Sequence, residues 1–154
     1  MQAAILKRLN KEEKGFTLIE LLAVIVILAV IAAIAIPLIG NIINKSKSDS
    51  DVATARQIYD ASRMYVTSEL NNVYPESKSI TLGEIQGKGY LDKELLLPST
   101  KNKLDGTKTV ITYSDTVGTL TSVTLKDSTD KGDTYLASEV LKGKKESPTP
   151  TPGS

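Results

Sequence analysis

The alternation of apolar and polar positions changes character twice along the chain. Residues 1–15 mix charges with scattered apolar side chains. From Leu21 to Ile36 the chain is apolar without interruption, LLAVIVILAVIAAIAI, and no charge lies between Glu20 and Lys45. As a helix that uncharged run extends roughly 36 Å, enough to cross a hydrocarbon core of about 30 Å. It has no usable period, because every face is greasy; such a helix is embedded in lipid or wholly sheathed by protein. After Ile43 a period emerges. Val52, Ala55, Tyr59, Ser62, Val66, Leu70 and Val73 recur every three or four residues, with Ile58 and Tyr65 alongside. Arg56, Asp60, Arg63 and Glu69 fall on other faces. Tyr74-Pro75 is the expected stop. Phe16 to Tyr74 thus reads as one helix of about 88 Å at 1.5 Å per residue, needing lipid or neighbours around its first half and a partner on one face of its second.

Beyond Pro75 the pattern is weaker. Residues 75–105 read as an irregular connection with a short helical or turn piece around Thr81–Ile85. Residues 107–114 (TKTVITYS) and 119–126 (TLTSVTLK) are rich in β-branched side chains and flank Asp115-Thr116-Val117-Gly118, which reads as a hairpin turn. Residues 135–141 (YLASEVL) are a third apolar piece, strand or short helix. A small antiparallel sheet packed on the amphipathic half-helix is the economical arrangement, which makes the fold class α+β. Lys142–Ser154 (KGKKESPTPTPGS) reads as a flexible Pro/Thr tail.

Composition narrows the chemistry. The 154 residues include no histidine and no cysteine, so Ser-His-Asp and Cys-His sites, His or thiolate metal centres and disulfides are all excluded. No convergent acid-base pair stands out among the carboxylates, so the expectation is no enzyme, no catalytic residue and no cofactor. A net charge of +1 leaves no overall electrostatic footprint for nucleic acid. Lys142, Lys144 and Lys145, without interleaved aromatics, do not supply one, and no specific nucleic-acid partner is expected. The acidic stretch Asp127–Asp133 could offer oxygen ligands to Ca²⁺. It lacks EF-hand spacing and a closing bidentate glutamate, so the expectation is a solvated loop and no metal site.

Charge matters most before the apolar run. Lys7, Arg8, Lys11 and Lys14 outweigh Glu12 and Glu13, which keeps this flank cytoplasmic and translocates the C-terminal bulk. A secretory signal puts its apolar stretch ahead of the cleavage site; here the charged leader ends at Gly15 and the apolar stretch follows. Cleavage after Gly15 would keep the membrane segment and free an α-amino group on Phe16, cationic at neutral pH. Glu20, a costly carboxylate near the bilayer, then has two readings. It lies at headgroup level, or it compensates that amine on its own helix or a neighbour's, which would fix axial register. Pro37 and Gly40 weaken the helix. They read equally as a tolerated kink or as a segment that melts when the protein leaves the bilayer.

Gly15-Phe16-Thr17-Leu18-Ile19-Glu20, after a basic leader and before an unbroken apolar helix, resembles the type IV prepilin signature. The resemblance covers about residues 14–43, and the absence of cysteine is similar to major pilins of Gram-positive bacteria. It implies cleavage between Gly15 and Phe16 by a prepilin peptidase/N-methyltransferase and N-methylation of Phe16. It implies filament assembly through Phe16, Thr17 and Glu20, and helix melting around Pro37 and Gly40. The implied organisation is a cleaved leader at 1–15, a transmembrane and filament-core helix at 16–44, a head at 45–141 and a tail at 142–154. The implied partners are the membrane, a pilus assembly platform with its ATPase, and other copies of the chain in a helical homopolymer. The function would be a structural subunit of a type IV pilus for adhesion or twitching motility. The protein would sit in the cytoplasmic membrane, N-terminus in, before assembly, and outside the cell afterwards. The alternative is a pseudopilin of a type II secretion or DNA-uptake system.

Overall fold

A computed structural model describes residues 17–114 and 117–146. Its elements run α1 (Leu18–Glu69), β1 (Ser79–Thr81), α2 (Leu82–Gly87), β2 (Val110–Tyr113), β3 (Leu120–Thr124), β4 (Thr134–Leu136) and α3 (Ala137–Lys142). The fold is α+β, as the pattern implies. The chain divides into two compact units, one ending at Ile42 and the other beginning at Ile43.

In the first unit α1 continues through both Pro37 and Gly40 without leaving the α-helical class. Its large apolar side chains are exposed, Ile36 by 70% and Leu28 by 57%. Among the described residues none sheathes this stretch, so its cover has to come from lipid or from other chains.

The second unit holds the core. Val52, Ala55, Ile58, Tyr59 and Val66, read from the three- and four-residue spacing, are buried with Ala61 in one cluster with Ile80, Leu82, Ile85, Ile111, Val123 and Tyr135. Fully burying each such aliphatic chain is worth about 1.5–3 kcal/mol. Arg56, Asp60 and Arg63 stay outside it; Arg56 pairs with Asp60 one turn on, at 3.0 Å.

The helix ends earlier than Tyr74-Pro75 suggests. Asn71 and Asn72 take left-handed φ values of 50° and 62°, and the Asn72 N–H donates to the Val66 carbonyl at 3.0 Å. Asparagine accepts this conformation more readily than other chiral residues and so stops the helix five residues before the proline can. Val73, placed on the core stripe by periodicity, is consequently off the helix and 65% exposed.

The sheet has the order β1-β2-β3-β4, antiparallel throughout. The two β-branched stretches pair as expected, Val110–Tyr113 against Leu120–Thr124, with an irregularity between Thr112 and Tyr113. Asp115 and Thr116 of the expected turn lie outside the described residues. Two elements differ from expectation. Residues 75–105 contribute an edge strand, β1, as well as the anticipated short helix. Residues 135–141 are both strand and helix, because Glu139 starts a helical turn directly after β4. Of the expected tail, Lys142 closes α3 and Lys145 pairs with Asp133 at 2.9 Å; residues 147–154 lie outside the described residues.

Candidate functional site at the start of the long helix

Gly15 and Phe16 lie outside the described residues, and the site is legible from Thr17 onward. Thr17 and Glu20 form a reciprocal pair. The Thr17 backbone N–H and hydroxyl both donate to Glu20 Oε2, at 2.9 and 3.0 Å, while the Glu20 N–H donates to Thr17 Oγ1 at 3.3 Å. This is a capping box, in which threonine and the glutamate three residues later satisfy helix-start donors that have no carbonyl to bond. A negative side chain at that position is also favoured by the partial positive charge of the helix start. This bond to Thr17 is compatible with either reading of Glu20, at headgroup level or beside the Phe16 amine, and Phe16 lies outside the described residues. Among the described residues, no partner falls on Oε1.

Thr17 is the residue that reading along the chain undervalues. Its name belongs to the assembly group, but its mechanical role follows from Thr-x-x-Glu spacing, a signal present in the sequence. The same spacing recurs at Thr81 and Glu84, where the N–H and hydroxyl of Thr81 donate to Glu84 Oε2 at 2.7 and 2.8 Å.

Downstream, α1 is the one helix among the described residues long and apolar enough to cross a membrane. Pro37 and Gly40 sit in its exposed part, and a side chain at position 40 would meet nothing within 4 Å. Thr17 with Glu20 therefore stands at the helix start, while Pro37 with Gly40 lies about four to six turns further on, at 3.6 residues per turn. The structure does not bring the two pairs together.

The acidic loop of the head is exposed at Ser128, Thr129, Asp130, Lys131 and Asp133, as its composition suggests, but not at its first residue. Asp127 is fully buried. Its Oδ1 accepts from the Thr129 N–H, the Thr129 hydroxyl and the Lys131 N–H at 2.7–3.0 Å. Its Oδ2 accepts from the Thr100 hydroxyl and Asn102 Nδ2 at 2.7 and 2.9 Å. Burial alone would push this carboxyl up, but the bonds from Asn102, Thr100, Thr129 and Lys131 outweigh it and hold it well below the ordinary carboxylate range. All these partners are donors, so Asp127 organises the loop as an anion. Among the described residues no group of three or more acidic side chains could hold a metal ion.

A second buried polar cluster ties the helix to the sheet. The Tyr113 hydroxyl lies 2.6 Å from Ser62 Oγ, and Ser62 Oγ donates to the Tyr59 carbonyl at 2.6 Å. Burial pushes the Tyr113 phenol up, although Ser62 pulls the other way. Both hydroxyls are used in packing.

Comparison with known proteins agrees with the N-terminal reading. The prokaryotic N-terminal methylation motif matches residues 10–36, spanning the end of the basic leader, Gly15, Phe16, the capping pair and the apolar run to Ile36. No solved structure matches the chain. The motif is typical of type IV pilins and pseudopilins, so over residues 10–36 the chain is similar to the N-terminus of such proteins, and it continues in a long apolar helix that fits a membrane anchor.

Proposed function

We propose that this chain is a structural subunit of a type IV pilus, of the cysteine-free kind resembled by pilins of Gram-positive bacteria. The observation that carries the reading is the methylation motif at residues 10–36, which takes in the first half of an apolar helix that no described residue covers. Before assembly the subunit is held in the cytoplasmic membrane by residues 16–44, with residues 1–15 inside the cell and the head outside. A prepilin peptidase/N-methyltransferase cuts between Gly15 and Phe16 and methylates Phe16. Methylation leaves the amine cationic, so a charge partner is still required. An assembly platform and its ATPase then draw the subunit out, and the apolar helices of successive copies replace lipid around one another. A heterologous contact that does not close gives a fibre rather than a ring.

Glu20 supplies the electrostatics of this step. One oxygen remains on Thr17 and keeps the helix start formed, while Oε1 is the oxygen to receive the Phe16 amine of an adjacent copy. The carboxylate is then never without donors, either in the bilayer or in the fibre. Pro37 and Gly40 mark where α1 would loosen once packed, since proline removes a helix hydrogen bond and glycine lowers helix propensity. Adhesion or motility would belong to the fibre and its motor; no reaction is assigned to this chain.

Mass spectrometry of the N-terminus in material sheared from cells, beside the membrane-retained pool, tests the reading. N-methylated Phe16 in the sheared fraction is the expected result. Methylated Phe16 confined to membranes would move the assignment to a short pseudopilus. Intact Met1 in every pool would remove the processing mechanism altogether.

A further inference from the structure

The two edges of the head's sheet end in the same way. In the β1–β2 pair, Leu82 N–H donates to the Thr109 carbonyl at 2.9 Å and Tyr113 N–H to the Lys78 carbonyl at 2.8 Å. These are hydrogen-bonded pairs, and in an antiparallel ladder they alternate with pairs whose N–H and C=O groups point away from the partner. Ser79 and Thr81, opposite Thr112 and Val110, are such outward residues. At the other edge, Leu125 N–H donates to the Asp133 carbonyl at 2.9 Å. The same alternation turns Thr134 and Leu136 outward.

Each edge strand is followed at once by a six-residue helix. In both cases the third residue of that helix is a glutamate that reaches back to the last outward amide of the strand. Thr81 N–H donates to Glu84 Oε2 at 2.7 Å, and Leu136 N–H to Glu139 Oε2 at 2.9 Å. On β1 the Ser79 carbonyl also accepts from the Ser77 hydroxyl at 3.2 Å. On β4 the buried Glu139 uses its other oxygen to accept the Glu146 N–H at 3.1 Å, which draws the chain after α3 onto the same carboxylate.

Helix capping alone does not account for both. At Thr81 the box is complete, because Thr81 Oγ1 also accepts from the Glu84 N–H. At Leu136 the side chain has no acceptor to offer, and only the arm that covers the strand is kept. An uncovered edge strand is a template for a strand of another chain. We infer that Glu84 and Glu139 close both edges of the sheet against strand addition by a second copy. An incoming strand would have to displace a carboxylate from its amide and leave that charge beside its own carbonyls. The closure itself is independent of the pilin reading. Its consequence, that association between copies is left to α1, rests on that reading.

The test uses the full chain in mild-detergent micelles, where α1 is shielded and only the head can associate. Amide hydrogen exchange and sedimentation velocity are measured on the wild type and its variants. In the wild type, Thr81 and Leu136 amides are protected although no strand faces them, and the chain is a monomer. Glu84→Ala with Glu139→Ala lowers protection at both amides, on the order of tenfold for loss of a hydrogen bond to a charged acceptor, and produces a concentration-dependent ladder of oligomers. Either alanine change alone opens one edge and stops at a dimer, which keeps the test available if the double variant fails to fold. Glu84→Gln with Glu139→Gln retains an acceptor at each site and stays monomeric. Thr81→Ala removes the helix cap yet leaves Glu84 on the amide, so it also stays monomeric. The inference is overturned if the alanine variants remain monomeric with both amides exposed. It is equally overturned if Thr81→Ala associates as strongly as they do, or if the wild-type amides exchange without protection.

Discussion

Asp127 illustrates how much one side chain decides in a head without disulfides. Five donors converge on its two oxygens and tie residues 100–102 to residues 127–131. Its folded-state pKa lies below its ordinary value of 3.8, so the unfolded chain binds this proton more readily than the folded one. The stabilisation is therefore complete above the unfolded value and is lost as pH falls through it towards the lower folded value. Asp127→Asn is expected to lower the urea midpoint at neutral pH, because its amide nitrogen would face donors. It should also flatten the decline of stability below about pH 4, the range of an ordinary aspartate. Urea titrations of both proteins between neutral and acid pH check this. Equal acid slopes would show that Asp127 is not the acid-sensitive group.

At the scale of elements, the link between β3 and β4 depends on one glycine. Gly132 has φ of +132°, and a Cβ there would lie 2.2 Å from the Leu125 carbonyl oxygen. That oxygen belongs to backbone and cannot swing aside. Gly132→Ala is expected to cost at least the ~1–3 kcal/mol of a forced backbone conformation, read as a lowered thermal midpoint of the head. Because β4 carries Tyr135 into the core, faster exchange should appear first in the amides that pair β3 with β4. An unchanged midpoint would show that the loop has another conformation of similar energy. The start of α1 makes the same point about local chemistry. Thr17 and Glu20 cap the helix with groups of their own chain, and Thr-x-x-Glu spacing makes this readable before any fold is known. The stop at Asn71-Asn72 is not readable in that way. Its left-handed pair competes with a proline that is the stronger local signal, and only the bond from Asn72 to Val66 shows which wins.

The whole molecule presents two kinds of surface. The head buries its own core, while the apolar part of α1 exposes Leu22, Ile25, Leu28 and Ile31, each by more than half. A lysine near the middle of that stretch costs about 2.5–3.5 kcal/mol in a membrane helix. Ile31→Lys should therefore shift the protein from the carbonate-resistant membrane fraction towards the soluble one, with the head's exchange pattern unchanged. Full membrane retention would argue that this stretch is not the anchor. Both units share one helix, whose large side chains stay exposed through Lys47 and are first buried at Asp51 and Val52, where the stripe begins.

What the sequence determined by itself was everything governed by local pattern. The long apolar run, the prepilin-like residues around Gly15 and Phe16, the amphipathic stripe and the two β-branched strands of the central hairpin all follow from spacing and side-chain type. Tertiary structure decided the rest, because those features depend on residues far apart in the chain. β1 is three residues with one apolar side chain, too short to be told from a loop until Thr112, Ile111 and Val110 pair with it. Asp127 looks like one more solvated acid until Thr100 and Asn102 arrive from 25 or more residues away to bury it. The paired roles of Glu84 and Glu139 emerge only when β1 and β4 become the two edges of one sheet. Hydrophobic period and charge act within a few residues and survive in the sequence, whereas hydrogen-bond satisfaction is settled by which distant segments meet.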